Sequence, residues 1–180
     1  DNNYFALGKD EFRCMSFFRD KIALGIDSGV ILVNKDSLFI IKSNDLGNTT
    51  SIEFDPSGKY LFIGNTLGTL CRMSLANFST ENNQYQTSRI SDITFNGDGT
   101  YMASASFDYS TAIWDMKNNW SSSIPLLLLP PREKSVVSPG EVLLAYCVAP
   151  SQNNDYFFSG YSNGKILKWA VNSEILADLI

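Results

Sequence analysis

The sequence predicts an all-β chain in which about four copies of one four-stranded unit follow each other. Two segments, SIEFDPSGKYLFIGNTLGTLCRMS (51–74) and DITFNGDGTYMASASFDYSTAIWD (92–115), align without a gap. Their equivalent residues, such as Phe54 and Phe95, stand 95 − 54 = 41 positions apart. Because sequence periods of about 20 to 50 residues are typical of repeat architectures, this period indicates the fold class before any single strand is assigned.

Two more copies are less regular. The copy AYCVAPSQNNDYFFSGYSNGKILKWAV places Gly164 at the position of Gly68 and Trp169 at that of Met73. The first copy along the sequence is MSFFRDKIALGIDSGVILVN. The four units are expected at about residues 12–43, 50–87, 90–129 and 141–180, with an inserted loop within 117–140.

Each copy reads as short strands separated by turns. The segments ISDITF, YMASAS and TAIWDM are rich in β-branched and aromatic residues, and DPSG and NGDG are turn sequences. The fourth strand of each unit is assigned to LFIIKS, to a stretch near 85–87, to IPLLLL and to EILADLI. Four strands in about 40 to 45 residues are typical of one blade of a β-propeller.

The third copy resembles the WD-repeat family in its second and third strands. Family blades run Leu-Ala-Ser-Gly-Ser-x-Asp-Gly-Thr-Ile-x-Leu-Trp-Asp, and this chain has MASASFDYSTAIWD at 102–115. The last copy is similar to the same pattern at Ser159, Gly160, Asn163 and Trp169. The chain has no Gly-His dipeptide, so the family's buried His-to-Asp hydrogen-bond relay is expected to be absent from every blade.

The resemblance implies a propeller of about four four-stranded blades that is part of a larger ring. Propellers have about 4 to 8 blades, and WD-repeat rings usually have about seven. The terminal segment KWAVNSEILADLI also resembles the last blade of the WD-repeat regions of bacterial STAND-type ATPases. That second resemblance implies a ligand-sensing role.

Several distinctive residues have a structural explanation. Two tryptophans are expected to pack against neighbouring blades, because large aromatic rings dominate protein cores. An aspartate and an asparagine are expected to bind backbone amides in the turns between second and third strands, and glycines lie in or beside those turns. These structural residues are Trp114 and Trp169, Asp108 and Asn163, and Gly64, Gly68, Gly160 and Gly164.

Two irregular features indicate where a partner binds. Phe107, Tyr109 and Tyr161 fall in or beside the loops between second and third strands, which the resemblance places on the upper rim near the central channel. They are candidate partner contacts; alternatively, Tyr109 and Tyr161 only shield neighbouring blades. Arg132 on the insertion is a further candidate contact; alternatively, the insertion is only a long loop after an outer strand.

Composition excludes several classes of function. The net charge is −5 and the chain has no histidine. The acidic balance disfavours direct nucleic-acid binding, and the lack of histidine removes the commonest general base and zinc ligand. We therefore expect no catalytic residue, metal or cofactor in this region. The three separated cysteines and the absence of a long apolar run predict a cytoplasmic location without membrane contact.

The favoured function is a non-catalytic protein-interaction or sensor propeller within a larger multidomain protein. The alternatives are a propeller enzyme with channel carboxylates and a scaffold in a nucleic-acid-handling complex. An enzyme is expected to place acids at equivalent loop positions. Those positions hold only scattered acids, which favours binding: Ile26 and Asp27, Thr66 and Leu67, Phe107 and Asp108, Ser162 and Asn163.

Overall fold

Sixteen strands in four antiparallel sheets make up the described part of the chain. The structure is a computed structural model that describes residues 10–34, 37–42, 46–117, 120, 124–128, 142–171 and 177–179. Within these residues no helix is long and apolar enough to span a bilayer. The result confirms the predicted all-β class and its four four-stranded units.

The strands are numbered in chain order, and each sheet takes four consecutive strands. Sheet 1 contains β1 (Phe12–Phe18), β2 (Lys21–Ile26), β3 (Gly29–Asn34) and β4 (Ser37–Lys42). Sheet 2 contains β5 (Thr49–Phe54), β6 (Tyr60–Asn65), β7 (Leu70–Ser74) and β8 (Thr80–Asn83). Sheet 3 contains β9 (Ile90–Phe95), β10 (Tyr101–Ser106), β11 (Thr111–Asp115) and β12 (Leu126–Leu128). Sheet 4 contains β13 (Ala145–Pro150), β14 (Tyr156–Tyr161), β15 (Ile166–Ala170) and β16 (Ala177–Leu179).

One strand lies elsewhere than the sequence predicted. The fourth strand of sheet 2 was expected near 85–87, but it is Thr80–Asn83. A turn at 75–77 returns the chain directly beside β7, so that Cys71 pairs with Asn82. The segment was missed because its residues, TENN, are polar and mostly exposed and show no apolar alternation.

The turns between first and second strands follow from their residues. In sheet 2, the Gly58 amide donates to the Asp55 carbonyl at 2.9 Å, and Gly58 has a φ of 69°. In sheet 3, Gly99 makes the same bond to the Asn96 carbonyl at 3.0 Å with a φ of 70°. Glycine adopts this left-handed conformation without a Cβ clash, which explains its place in both turns.

Successive sheets pack face to face and bury three apolar clusters. The first strands β1, β5, β9 and β13 are neighbours in that order. One cluster joins sheets 1 and 2 around Phe54, one joins sheets 2 and 3 around Trp114, and one joins sheets 3 and 4 around Trp169. The sheets therefore form a consecutive stack, with β1, β5, β9 and β13 side by side along one edge. We call these four the inner strands.

Candidate functional site

The loops between second and third strands lie at the end of the stack where the inner strands begin. Backbone bonds tie each loop to the residue that enters an inner strand. The Thr66 amide donates to the Asn48 carbonyl at 3.1 Å, and the Phe107 amide donates to the Arg89 carbonyl at 2.9 Å. We call this end of the molecule the rim. Loop residues from several sheets lie together on the surface of the rim.

Polar side chains fix the shape of the rim turns. In sheet 3, Asp108 accepts from the Ser110 amide at 3.0 Å and from the Thr87 amide at 2.7 Å. In sheet 4, Asn163 accepts from the Lys165 amide at 3.1 Å. These bonds join the Asp108 and Asn163 side chains to backbone amides and so stabilise the two turns. The neighbouring side chains therefore project from rigid turns.

Tyr109 occupies a turn position that glycine holds in two other sheets. Its φ is 77°, compared with 84° for Gly68 and 80° for Gly164. A residue with a Cβ is disfavoured in this left-handed conformation. The Tyr109 side chain is 44% exposed, so the strained turn presents a large aromatic ring to solvent.

Phe107 and Tyr146 form a second aromatic feature on the rim. Their ring centroids are 5.2 Å apart in an edge-to-face arrangement. Phe107 is half-buried and Tyr146 is 50% exposed. The Arg89 guanidinium carbon lies 5.3 Å from the centroid of the Phe107 ring, within reach of a cation–π interaction. Arg89 and Tyr146 were not identified from the sequence, because each becomes significant only beside Phe107.

A buried hydrogen-bond network lies directly below this rim in sheet 3. The Trp114 indole donates to the Ser104 hydroxyl at 3.2 Å, and that hydroxyl donates to the Gln86 amide oxygen at 2.8 Å. The Gln86 amide nitrogen donates to the Ser110 hydroxyl at 3.1 Å, and Ser110 in turn donates to Asp108 at 2.6 Å. The network connects a core tryptophan to the turn aspartate.

Residues 78–115 match the family model described as WD domain, G-beta repeat. This segment is similar to a WD repeat. It contains β8 to β11 together with Gln86, and the four antiparallel sheets fit a WD-repeat family. No curated protein matches the chain.

Sheet 3 has a buried relay built on a glutamine, whereas the relay expected to be absent was the family's His-to-Asp relay. The expectation rested on the missing Gly-His dipeptide. In the structure, Gln86 is buried and links Ser104 to Ser110, whose hydroxyl donates to Asp108. A glutamine amide can donate and accept at once, as a neutral imidazole can. The chain has no histidine, so the expectation that no blade has a His-to-Asp relay stands, and the glutamine relay of sheet 3 is a separate feature that the sequence did not reveal.

Tyr161 is placed inside the protein and not on its surface. It is only 5% exposed, packs in the cluster between sheets 3 and 4, and its hydroxyl lies 3.1 Å from the Thr111 hydroxyl. Burial raises the pKa of its phenol. The ring is therefore not available as a direct partner contact, and the shielding alternative describes Tyr161 better. Arg132 lies outside the described residues.

The residues with expected structural roles lie in the core or in turns. Trp114 and Trp169 are both buried, and the Trp169 indole donates to the Ser159 hydroxyl at 2.5 Å. Gly64 and Gly160 lie in second strands, where an added Cβ would meet the Ser51 or Cys147 side chain at less than contact distance. Sequence reasoning missed Trp120, which is buried 4.9 Å from the Trp114 ring.

Two half-buried carboxylates on the inner strands serve as acceptors between sheets. Glu53 accepts from the Ser16 hydroxyl at 3.0 Å, and Asp92 accepts from the Val148 amide at 2.9 Å. Burial raises the pKa of both carboxyl groups. In the described ranges no three potential metal ligands come together. Both carboxylates thus have a structural task in joining neighbouring inner strands.

Proposed function

We propose that this chain is a recognition module that binds a protein partner through its rim. WD repeats generally mediate protein–protein interactions, and WD domains are typically non-catalytic. The supporting observation is the cluster of rim aromatics: Tyr109 and Tyr146 are exposed, and Phe107 lies half-buried beside Arg89. Aromatic rings and arginines supply much of the binding energy in protein interfaces.

The rigidity of the rim supports the same proposal. Phe107 and Tyr109 flank Asp108, whose carboxylate accepts from the Ser110 amide in the turn and from the Thr87 amide in the segment before β9. A side chain on a fixed turn loses less conformational entropy on binding than one on a mobile loop. A sensor role within a larger multidomain protein is the finer form of this proposal.

Affinity capture tests the proposal. Immobilised wild-type chain is compared with the Phe107→Ala/Tyr109→Ala double variant in an extract of the source organism. Ile124→Ala is the control, since Ile124 is also exposed but lies on the chain entering β12, in another part of the fold. We expect wild type and control to capture the same proteins and the double variant to lose them. Equal capture by all three, with unchanged melting temperatures, would exclude the rim aromatics as the binding surface.

We also propose that the four sheets belong to a larger ring. In sheet 1, Phe17 is 77% exposed, and Met15 and Ile22 on the same face are exposed as well. The repeat places Phe17 at the position of Phe54, which is 4% exposed because sheet 1 covers it. The open face of sheet 1 thus has the composition of a face that normally receives the preceding sheet. In the larger ring, a further four-stranded sheet of the same kind would cover this face of sheet 1.

Hydrogen–deuterium exchange tests this second part. The amides of β2 and β3 are compared between the 180-residue chain and the protein purified from its source. We expect slower exchange in the latter, because a covering sheet protects the strands from opening. The amides of β10 in the centre of the stack are the control and should exchange equally in both. Equal exchange at β2 and β3 would contradict the larger ring.

A further inference from the structure

Arg89 is held at the point where the chain enters inner strand β9. Its carbonyl accepts from the Phe107 amide at 2.9 Å, and its guanidinium carbon lies 5.3 Å from the Phe107 ring centroid. Tyr146 from sheet 4 meets the same ring edge-on. We call Arg89, Phe107 and Tyr146 the Arg89 cluster. It brings one cation and two aromatic rings from two sheets together on the rim.

The Arg89 guanidinium has unused hydrogen-bonding capacity. Its Nε atom is buried and has no hydrogen-bond partner. Among the described residues, Arg13 pairs with Asp27 and Arg72 pairs with Glu81 at 2.6 Å, but no carboxylate forms a salt bridge with Arg89. Because Arg89 as a whole is only half-buried, its guanidinium has further N–H donors to offer to an acceptor on a partner.

Two acids of sheet 3 are already engaged. Asp92 accepts from the Val148 amide at 2.9 Å, and Asp108 accepts from the Thr87 amide at 2.7 Å. The charge of Arg89 does reach the Cys14 thiol: burial raises the pKa of Cys14 to about 11, and Arg89 is among the groups that oppose this rise. In the described part of the chain, Arg89 thus lies beside Phe107 and acts on the Cys14 thiol, but no carboxylate forms a salt bridge with it.

We propose that the Arg89 cluster binds the carboxylate of an acidic side chain on the protein partner. This inference rests on the proposed function and names the chemistry that the rim recognises. A guanidinium forms a planar fork of donors that matches the two oxygens of a carboxylate. The Phe107 ring borders the cation and excludes water from that side, which strengthens a short-range ion pair. The net charge of −5 opposes long-range attraction of an acidic segment, so the selectivity comes from contact at this cluster.

The test uses a defined probe, because the partner is unidentified. The probe is a fluorescein-labelled peptide of alternating Glu and Phe, and its counterpart with Gln in place of Glu is the neutral probe. Fluorescence anisotropy measures binding, and the Arg Nε–H signals in ¹H–¹⁵N spectra show where the probe binds. We expect the acidic probe to bind at least tenfold more tightly than the neutral one and to shift the Arg89 Nε–H signal.

Matched variants locate the effect. Arg89→Gln should lose at least tenfold in affinity for the acidic probe, while Arg19→Gln should lose none. Arg19 is a suitable control because its guanidinium carbon also lies over a phenylalanine ring, 5.1 Å from the Phe18 centroid, on an exposed turn. Urea denaturation of Arg89→Gln checks that the fold is retained, and Arg89→Lys replaces it if the glutamine variant unfolds.

Three results would overturn the inference. They are equal loss in both arginine variants, equal binding of the acidic and neutral probes, and displacement of the acidic probe by inorganic phosphate at concentrations where acetate has no effect. The last result would assign the cluster to a phosphate group. The experiments distinguish failure of this inference from failure of the proposed function. If partner capture requires Phe107 and Tyr109 but not Arg89, the rim is still the binding surface, but Arg89 does not bind a carboxylate of the partner.

Discussion

Replacing Gln86 with alanine tests the buried relay most directly. Gln86 is 1% exposed, and its amide joins Ser104 to Ser110 through bonds of 2.8 and 3.1 Å. The truncation leaves several polar groups buried without a partner, each at about 1–3 kcal/mol, and opens a cavity beside Trp114. Since these groups can partly bond to each other, we expect the free energy of unfolding to fall by about 2–4 kcal/mol.

Urea denaturation followed by tryptophan fluorescence measures this change. Gln84→Ala is the matched control: Gln84 is exposed, and its amide donates to the Leu67 carbonyl at 3.4 Å, so its loss should cost less than about 0.5 kcal/mol. Gln86→Leu fills a similar volume without an amide and separates lost hydrogen bonds from lost packing. Equal stability of the Gln86→Ala and Gln84→Ala variants would show that the relay does not stabilise the fold.

Three further predictions concern backbone strain, thiol reactivity and pH. Gly164 has a φ of 80° and open space around its Cα, so Gly164→Ala should cost about 1 kcal/mol in urea denaturation. Gly68→Ala should cost at least twice as much, because the added methyl would also strike a backbone carbonyl; equal costs would contradict the packing argument. Cys147 is exposed, whereas burial raises the pKa of Cys14 to about 11, so a maleimide at about pH 7.5 should label Cys147 first, as peptide mass spectrometry would show. Burial raises the pKa of Asp92, so the unfolded chain loses this proton at lower pH than the folded one, and stability falls as pH rises through that interval. The stability of Asp92→Asn relative to wild type should therefore increase between about pH 4 and 7, and a constant difference would refute this.

The rim illustrates how far sequence reasoning reached. The pattern placed Phe107 and Tyr109 in a loop between second and third strands, and both lie there. It treated Tyr161 in the same way, but this residue ends strand β14 and its ring points into the core. Side chains alternate between the two faces of a strand, so a shift of one position moves a ring from solvent to core. Assigning a residue to a loop does not determine whether it continues the neighbouring strand, or which face of that strand its side chain occupies.

The sequence by itself determined all the strands except β8, the period of 41 between sheets 2 and 3, and the turns between strands. These features depend on local chemistry, such as the positive φ that Gly58 and Gly99 supply, and local chemistry is readable from neighbouring residues. The tertiary structure alone decided which polar side chains are buried and which pair across sheets. Gln86 is polar in an irregular stretch, and Arg89 and Tyr146 are far apart in the chain. Gln86 acquires its role because the chain before β9 lies against Ser104 and Ser110, and Arg89 and Tyr146 acquire theirs because sheets 3 and 4 pack face to face. The packing of distant segments is not encoded in any local pattern.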